Sequence, residues 1–235
     1  MHHADLARVS VVLAAIGPAS HAMAHGEGDI GLLLSGDSIV TAVADDLAGT
    51  FADIGERVFA GEIDFVSNIG DAPGFFTTDG AGLPGGFSAF SPGTTIGYRT
   101  NGAILAWDGS TFGSTTNRLR QIVIPNIIEV LSPTDQSVVD GFEYLYNGGE
   151  FDEHPDYAML DATAAGIYLW KIAFFANDPF GATIASSDEV WVVFNFGLDE
   201  EDHELALEWA EANVPTPGAL APLTMAGLIA SRRRR

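Results

Sequence analysis

Hydrophobic and polar positions alternate with a short period through most of the chain. Between Gly26 and Gly197, runs rich in β-branched and aromatic residues are separated by clusters of Gly, Pro, Asp and Asn. Such runs suit a pleated, half-buried surface, and each is too short for a stable helix. The predicted strands are Ile30–Leu34, Ser38–Val43, Arg57–Ile63, Gly86–Phe90, Thr95–Tyr98, Ala103–Trp107, Arg120–Ile124, Ile127–Leu131, Gly141–Tyr146, Tyr157–Leu160, Gly166–Phe175 and Glu189–Phe196. Turn signals such as Ser35-Gly36-Asp37, Asn101-Gly102 and Asn147-Gly148-Gly149 lie between them. The Gly-rich stretch Asp71 to Gly86 is expected to be a long loop. Many short strands with turns between them predict a mainly β fold, an antiparallel sandwich or barrel.

The period changes once. Leu198 to Asn213 reads as a single helix with Asp199 as its cap and Glu200, Glu201 and Asp202 at the positive end of its dipole. Leu198, Leu205 and Trp209 would form its apolar stripe, with His203 on the solvent face. Trp170 and Trp191 are expected in the core or in cross-strand pairs.

The ends differ from the body. Met1 to Ala24 has the layout of a secretory signal peptide: Arg8 in a basic leader, the apolar run Val9 to Ile16, a Gly17-Pro18 break, and Ala22-Met23-Ala24 matching the small-x-small cleavage rule. Cleavage there makes His25 the first mature residue and implies Sec-type export. At the other end stand a Pro/Gly breaker, an uncharged run from Ala219 to Ala230, and Arg232, Arg233, Arg234 and Arg235. Twelve helical residues reach only ~18 Å, short of the ~30 Å hydrocarbon core, so the span is marginal and Pro222 interrupts it. Four arginines favour the cytoplasmic side, which places the preceding domain outside.

The tail Val214 to Arg235 resembles the PEP-CTERM sorting signal of Gram-negative envelope proteins, through Pro215, Pro217 and Gly218, the apolar segment and the terminal arginines. The resemblance implies processing by an exosortase-like transpeptidase and transient attachment to the membrane. Thr216 stands where that family usually has Glu. The implied division is 1–24 signal peptide, 25–198 β-sandwich, 199–213 helix and linker, and 214–235 sorting segment.

Charge narrows the partners. The full chain carries a formal charge of −22. Loss of both ends removes Arg8 and the four terminal arginines but only Asp5 among the acids, leaving Arg57, Arg99, Arg118, Arg120 and Lys171 as the cations. Nucleic acid needs clustered Lys and Arg and is a poor partner; cations suit the charge, although acidity by itself also serves to keep an exported chain soluble. With no cysteine, thiol catalysis and thiolate metal sites are impossible, and an exported fold must rest on its core.

Three histidines survive signal cleavage: His25, His154 and His203. His25-Gly26-Glu27-Gly28-Asp29 and Asp152-Glu153-His154-Pro155-Asp156-Tyr157 both join imidazole to carboxylates, and each immediately precedes a predicted strand. Two such edges can meet in a sandwich. His25, Asp29, His154 and Asp156 are therefore the candidate metal ligands, for Zn²⁺, Mn²⁺ or Cu²⁺. Calcium has candidate loops at Asp45-Asp46 and Asp178, without an EF-hand or nonapeptide repeat. His25 with His154 could also supply a copper brace like that of lytic polysaccharide monooxygenases, but those sandwiches usually carry disulfides. No Gly-x-Ser-x-Gly elbow, phosphate-binding glycine loop or spaced carboxylate pair marks a catalytic centre.

Asp161 to Tyr168, an Asp upstream of Gly166-Ile167-Tyr168, resembles the tyrosine corner of immunoglobulin-like sandwiches, in which Tyr168 buries its ring and returns its hydroxyl to the preceding loop. Ile167–Phe175 and Glu189–Phe196 would then pair as the last two strands. Together with the histidine-containing entries to strands, this layout from Ala24 to Gly197 is similar to the "choice-of-anchor M" group of surface-anchored β domains. That group often has paired histidines, where this chain has single ones.

The expected protein is a non-enzymatic, exported surface or extracellular-matrix protein with a structural or binding role, with exopolysaccharide as a candidate partner. The alternative is a surface divalent-metal module using His25 and His154; a polysaccharide-active enzyme is a remote third.

Overall fold

The computed structural model describes residues 28–80, 82–123 and 128–215. The expected signal peptide, His25 and the sorting segment from Thr216 onward lie outside the described residues.

Among the described residues sixteen strands form two sheets and one helix packs on the larger. The smaller sheet has the order β13-β6-β1-β2-β3. It comprises β1 (Asp29–Ser35), β2 (Ser38–Asp45), β3 (Thr50–Ala52), β6 (Phe75–Thr78) and β13 (Glu150–Glu153). The larger sheet runs β11-β10-β14-β5-β4-β16-β15-β7-β12. Its members are β4 (Val58–Asp64), β5 (Ile69–Ala72), β7 (Thr94–Asn101), β10 (Arg118–Val123), β11 (Ile128–Leu131), β12 (Val138–Tyr146), β14 (Asp156–Leu160), β15 (Gly166–Asn177) and β16 (Val190–Phe196). The hairpin β8 (Leu105–Trp107) and β9 (Phe112–Ser114) joins β15 beyond the end of β7. Most pairings are antiparallel, but β1 with β6 and β4 with β16 are parallel, so the sheets are mixed rather than antiparallel throughout.

The main core lies between the sheets. Ile30, Leu32 and Phe75 of the smaller sheet meet Tyr98, Trp170, Phe174 and Phe194 of the larger. The alternation along β15 and β16 shows why these sequences make strands. Tyr168, Trp170, Ile172 and Phe174 face this core, while Ile167 and Leu169 face the opposite side. On β16, Val190, Val192 and Phe194 alternate in the same way with Trp191 and Val193. Both strands therefore lose water on both faces, which explains their nearly continuous apolar sequence. They pair antiparallel as expected, from Gly166↔Phe196 to Ile172↔Val190. Trp170 and Trp191 are both buried.

The second face of the larger sheet is covered by helix α1 (Glu200–Asn213) and the β8–β9 hairpin. Asp199 occupies the cap position, yet its side chain makes no capping hydrogen bond. The buried face of α1 is His203, Ala206, Leu207 and Ala210; of the expected stripe Trp209 packs against the sheet, whereas Leu198 and Leu205 are exposed. Alanines let the helix approach the sheet closely. His203 then turns inward, 2% exposed, and its Nε2–H donates to the Val193 carbonyl at 2.9 Å. The bond satisfies a polar group that solvent was expected to satisfy. Trp209 stacks on Trp191 at 6.2 Å and contacts Trp107 and Phe112 edge-on. Among the described residues no helix is long and apolar enough to cross a membrane.

Three further expectations are corrected. The segment after Asp71 is not a long loop throughout, because Phe75–Thr78 forms β6 between β1 and β13. Gly86–Phe90 is not a strand; only Ser88 bridges to Leu34. Tyr168 buries its ring, but its hydroxyl accepts from Asn117 Nδ2 at 2.8 Å, in the loop before β10. The partner therefore comes from the segment between β9 and β10 rather than from the loop that precedes β15.

Candidate metal site

One edge of the smaller sheet gathers chemistry from three strand ends. Asp29 opens β1, Asp46 follows β2, Asp152 lies on β13, and His154 follows β13. The pairing of β1 with β2 brings Asp29 opposite Ala44, two residues before Asp46. β6 lies between β1 and β13, so Asp152 and His154 come to the same edge. One donor atom from each of these four residues lies within 4.8 Å of the others.

His154 is held from several sides. Its Nδ1 is 3.0 Å from the Asp71 carbonyl. A carbonyl only accepts, so Nδ1 carries a hydrogen and donates it. Nε2 is then turned toward two carboxylates, 3.0 Å from Asp152 Oδ1 and 3.3 Å from Asp29 Oδ2. A bare Nε2 lone pair facing two anions would be repelled. The position requires a positive species on Nε2, either a proton or a metal ion.

With a proton there, the imidazolium is strongly held, and the His154 pKa is pushed up to about 10. The hydrogen bond to Asp29 is the largest cause; burial opposes it, and the Asp71 carbonyl and the charges of Asp29 and Asp152 add to it. Asp29 outweighs the slightly nearer Asp152 because it is 7% exposed, whereas solvent screens the half-open Asp152 side chain.

Asp29 is fixed in turn. Its Oδ1 accepts the Gly74 amide at 2.7 Å, leaving Oδ2 for His154. Gly74 itself is required by the imidazole. A Cβ at residue 74 would come within 2.5 Å of His154 Cε1 and 2.6 Å of Nε2, so the ring lies directly on the glycine. The Tyr157 hydroxyl donates to the Pro73 carbonyl at 3.0 Å and anchors this loop from the core.

Of the ligands expected from sequence, Asp29 and His154 come together. Asp156 does not join them: it begins β14, whose partners β10 and β5 belong to the other sheet. His25 lies outside the described residues. Asp152 and Asp46 complete the group instead. Asp152 stood in the same acidic stretch as His154, and Asp46 in the Asp45-Asp46 pair considered for calcium. Asp45 does other work, since its Oδ1 accepts the Ala48 amide and shapes the turn. Asp178 likewise accepts the Phe180 and Ala182 amides at a turn. His203, on the buried face of α1 and bonded to the Val193 carbonyl, is not part of this group.

One imidazole nitrogen and three carboxylates form a donor set for Zn²⁺ or Mn²⁺. The Nδ1–H bond to Asp71 has the second role common around metal-bound imidazoles: it fixes the tautomer and ring orientation. No protein-family profile matches the chain, and no curated protein or solved structure matches it either.

Proposed function

We propose that this chain is an exported envelope protein whose β-sandwich binds one divalent transition metal through Asp29, Asp46, Asp152 and His154. The observation that carries the metal assignment is the orientation of His154, with Nδ1–H spent on a backbone carbonyl and Nε2 directed at two carboxylates. The exported destination rests on the signal-like leader and on the tail that resembles a PEP-CTERM signal. That resemblance also implies an exosortase-like enzyme as the processing partner. A structural role in the cell surface or exopolysaccharide matrix is compatible with the metal, which would tie together the three strand ends that supply the ligands. An immunoglobulin-like kinship rests on Asp161 upstream of Gly166-Ile167-Tyr168 and on the pairing of β15 with β16, and the Asn117 partner of Tyr168 weighs against it.

Metal content by plasma mass spectrometry, followed by Zn²⁺ and Mn²⁺ titration of the stripped protein, tests the site. About one metal per chain is expected, with affinity at least ~100-fold weaker in His154→Ala. Binding should release close to one proton at pH 7, because the metal replaces the proton held at Nε2. Metal no higher than background, or unchanged affinity in His154→Ala, would remove the metal assignment. Cell fractionation tests the destination: wild-type chain retained in the cytoplasm would end it.

A further inference from the structure

A second concave feature lies on the larger sheet, separate from the metal ligands. It has a volume of about 400 Å³ and is lined chiefly by Glu62, Asp64, Phe65, Ile69, Asp71 and Leu198. Three apolar side chains of its lining are open to water: Phe65 is 46% exposed, Ile69 53% and Leu198 37%. Phe65 is nevertheless firmly seated, against Phe196 at 5.0 Å and against Gly197. Asn195 and the Leu198 backbone exchange two hydrogen bonds at 3.0 Å, which makes this end of the groove rigid.

The polar lining has one sign. Glu62, Asp64 and Asp71 all contribute, and among the described residues no Lys, Arg or His lines the groove. Asp64 is kept ionised because its Oδ1 accepts the Ser67 amide, the Ser67 hydroxyl and the Val66 amide, which hold its pKa below the usual carboxylate range. Three carboxylates and exposed aromatic and aliphatic side chains in one lining select for a ligand that is both cationic and hydrocarbon. A hydrated inorganic cation would gain nothing from Phe65 or Ile69. A neutral hydrocarbon would leave the carboxylates without counter-charge. A volume of about 400 Å³ is in the small-molecule range.

We infer that this groove is a binding site for a linear polyamine, with ammonium groups paired to Glu62, Asp64 and Asp71 and methylene segments laid over Phe65 and Ile69. Ammonium groups joined by three or four methylenes present charge and hydrocarbon together, as a lining of three carboxylates with Phe65, Ile69 and Leu198 requires. The face of Phe65 adds attraction for a cation above it. The groove does not depend on the metal. Asp71 belongs to both places, but its contribution to His154 is the backbone carbonyl, which survives a change of side chain.

Spermidine titrated calorimetrically into the full chain tests the site. One spermidine per chain is expected. The Glu62→Gln/Asp71→Asn variant should bind about tenfold more weakly, and Ile69→Ser a few-fold more weakly. His154→Ala should bind spermidine as wild type does, which separates this result from that of the metal titration. 1,8-Octanediol, similar in length but uncharged, should not bind. A chain of net charge −22 attracts any polycation, so the controls are decisive. Several spermidines per chain with no loss in the double variant would show only a diffuse counter-ion atmosphere and overturn the site. So would displacement by Mg²⁺ beyond its effect on ionic strength, full affinity in Ile69→Ser, or no binding at millimolar spermidine. Tighter binding of a Lys-rich peptide than of spermidine would overturn the polyamine as ligand.

Discussion

Asp29→Ala is expected to abolish metal binding and to destabilise the metal-free protein, and Asp29→Asn should separate the two effects. The Asp29 carboxylate is 7% exposed and serves two partners, the Gly74 amide and His154 Nε2. Truncation leaves the amide without an acceptor in a place that water reaches poorly, a loss of about 2 kcal/mol. Asparagine keeps an oxygen for Gly74 but brings no charge to His154. It should recover most of the stability while still binding metal at least ~100-fold more weakly than wild type. Chemical denaturation and Zn²⁺ titration of the three proteins check both halves. If Asp29→Asn bound metal as wild type does, the buried carboxylate would not be a ligand.

The same contact sets a pH dependence. Folded His154 titrates at about 10 against 6.5 for the free side chain, so the folded state holds this proton more tightly than the unfolded one. Its contribution to stability is fully present below pH 6.5, declines as pH rises above that value, and is gone once pH passes about 10. The difference in melting temperature between metal-free wild type and His154→Gln should therefore shrink steadily from pH 6.5 to 10. A difference that stayed constant over that range would show that His154 is not held by its carboxylates. Because roughly a third of the side chain is exposed, screening makes the effect smaller than the shift alone suggests.

Most strands legible in sequence were long enough to alternate; the short β8 and β11 were legible because they sit within the apolar runs Ala103–Trp107 and Ile127–Leu131. β1, β2, β4, β7, β12, β15 and β16 all contain runs of apolar and β-branched residues that survive uncertainty at their ends. The five unforeseen strands, β3, β5, β6, β9 and β13, have three or four residues each, so two side chains at most can define a face. Phe75–Thr78 is the instructive case. Pro73-Gly74 on one side and Asp79-Gly80 on the other disguise it as loop, yet it is buried between β1 and β13 and its Phe75 ring contacts Tyr98 and Phe174. Tertiary pairing, not local propensity, makes it a strand. The site follows the same logic. Asp29 and His154 could be found because each joins acid or imidazole chemistry to the entry of a strand. Choosing Asp152 over Asp156 required knowing that β13 and β14 belong to different sheets, although only two residues separate them. The helix misled differently. Leucine and tryptophan suggest the apolar stripe, but close approach to a sheet favours small side chains, so Leu205 is outside and His203 inside.

Gly70→Ala should be the most damaging single-methyl change for fold and site together. A Cβ on residue 70 would lie 1.9 Å from the Glu62 carbonyl oxygen and 2.9 Å from its carbon. Both obstacles are backbone, so no rotamer change relieves them, and β5 must move away from β4. The two strands already pair irregularly, with Glu62 opposite Ala72 and Asp64 opposite Ile69, and the glycine permits that close approach. Displacement costs ladder hydrogen bonds and moves Asp71, whose carbonyl orients the His154 ring. The expected loss is about 2–4 kcal/mol in the metal-free protein, with metal affinity falling although no ligand has changed. Gly113→Ala is the control, because a Cβ there meets nothing within 4 Å and the backbone is not left-handed; it should stay within about 0.5 kcal/mol of wild type. Equal stability of the two variants would mean that β5 accommodates a side chain at residue 70. Normal metal affinity in a destabilised Gly70→Ala protein would instead separate β5 from the site and leave the orientation of His154 to Asp29, Asp152 and Gly74.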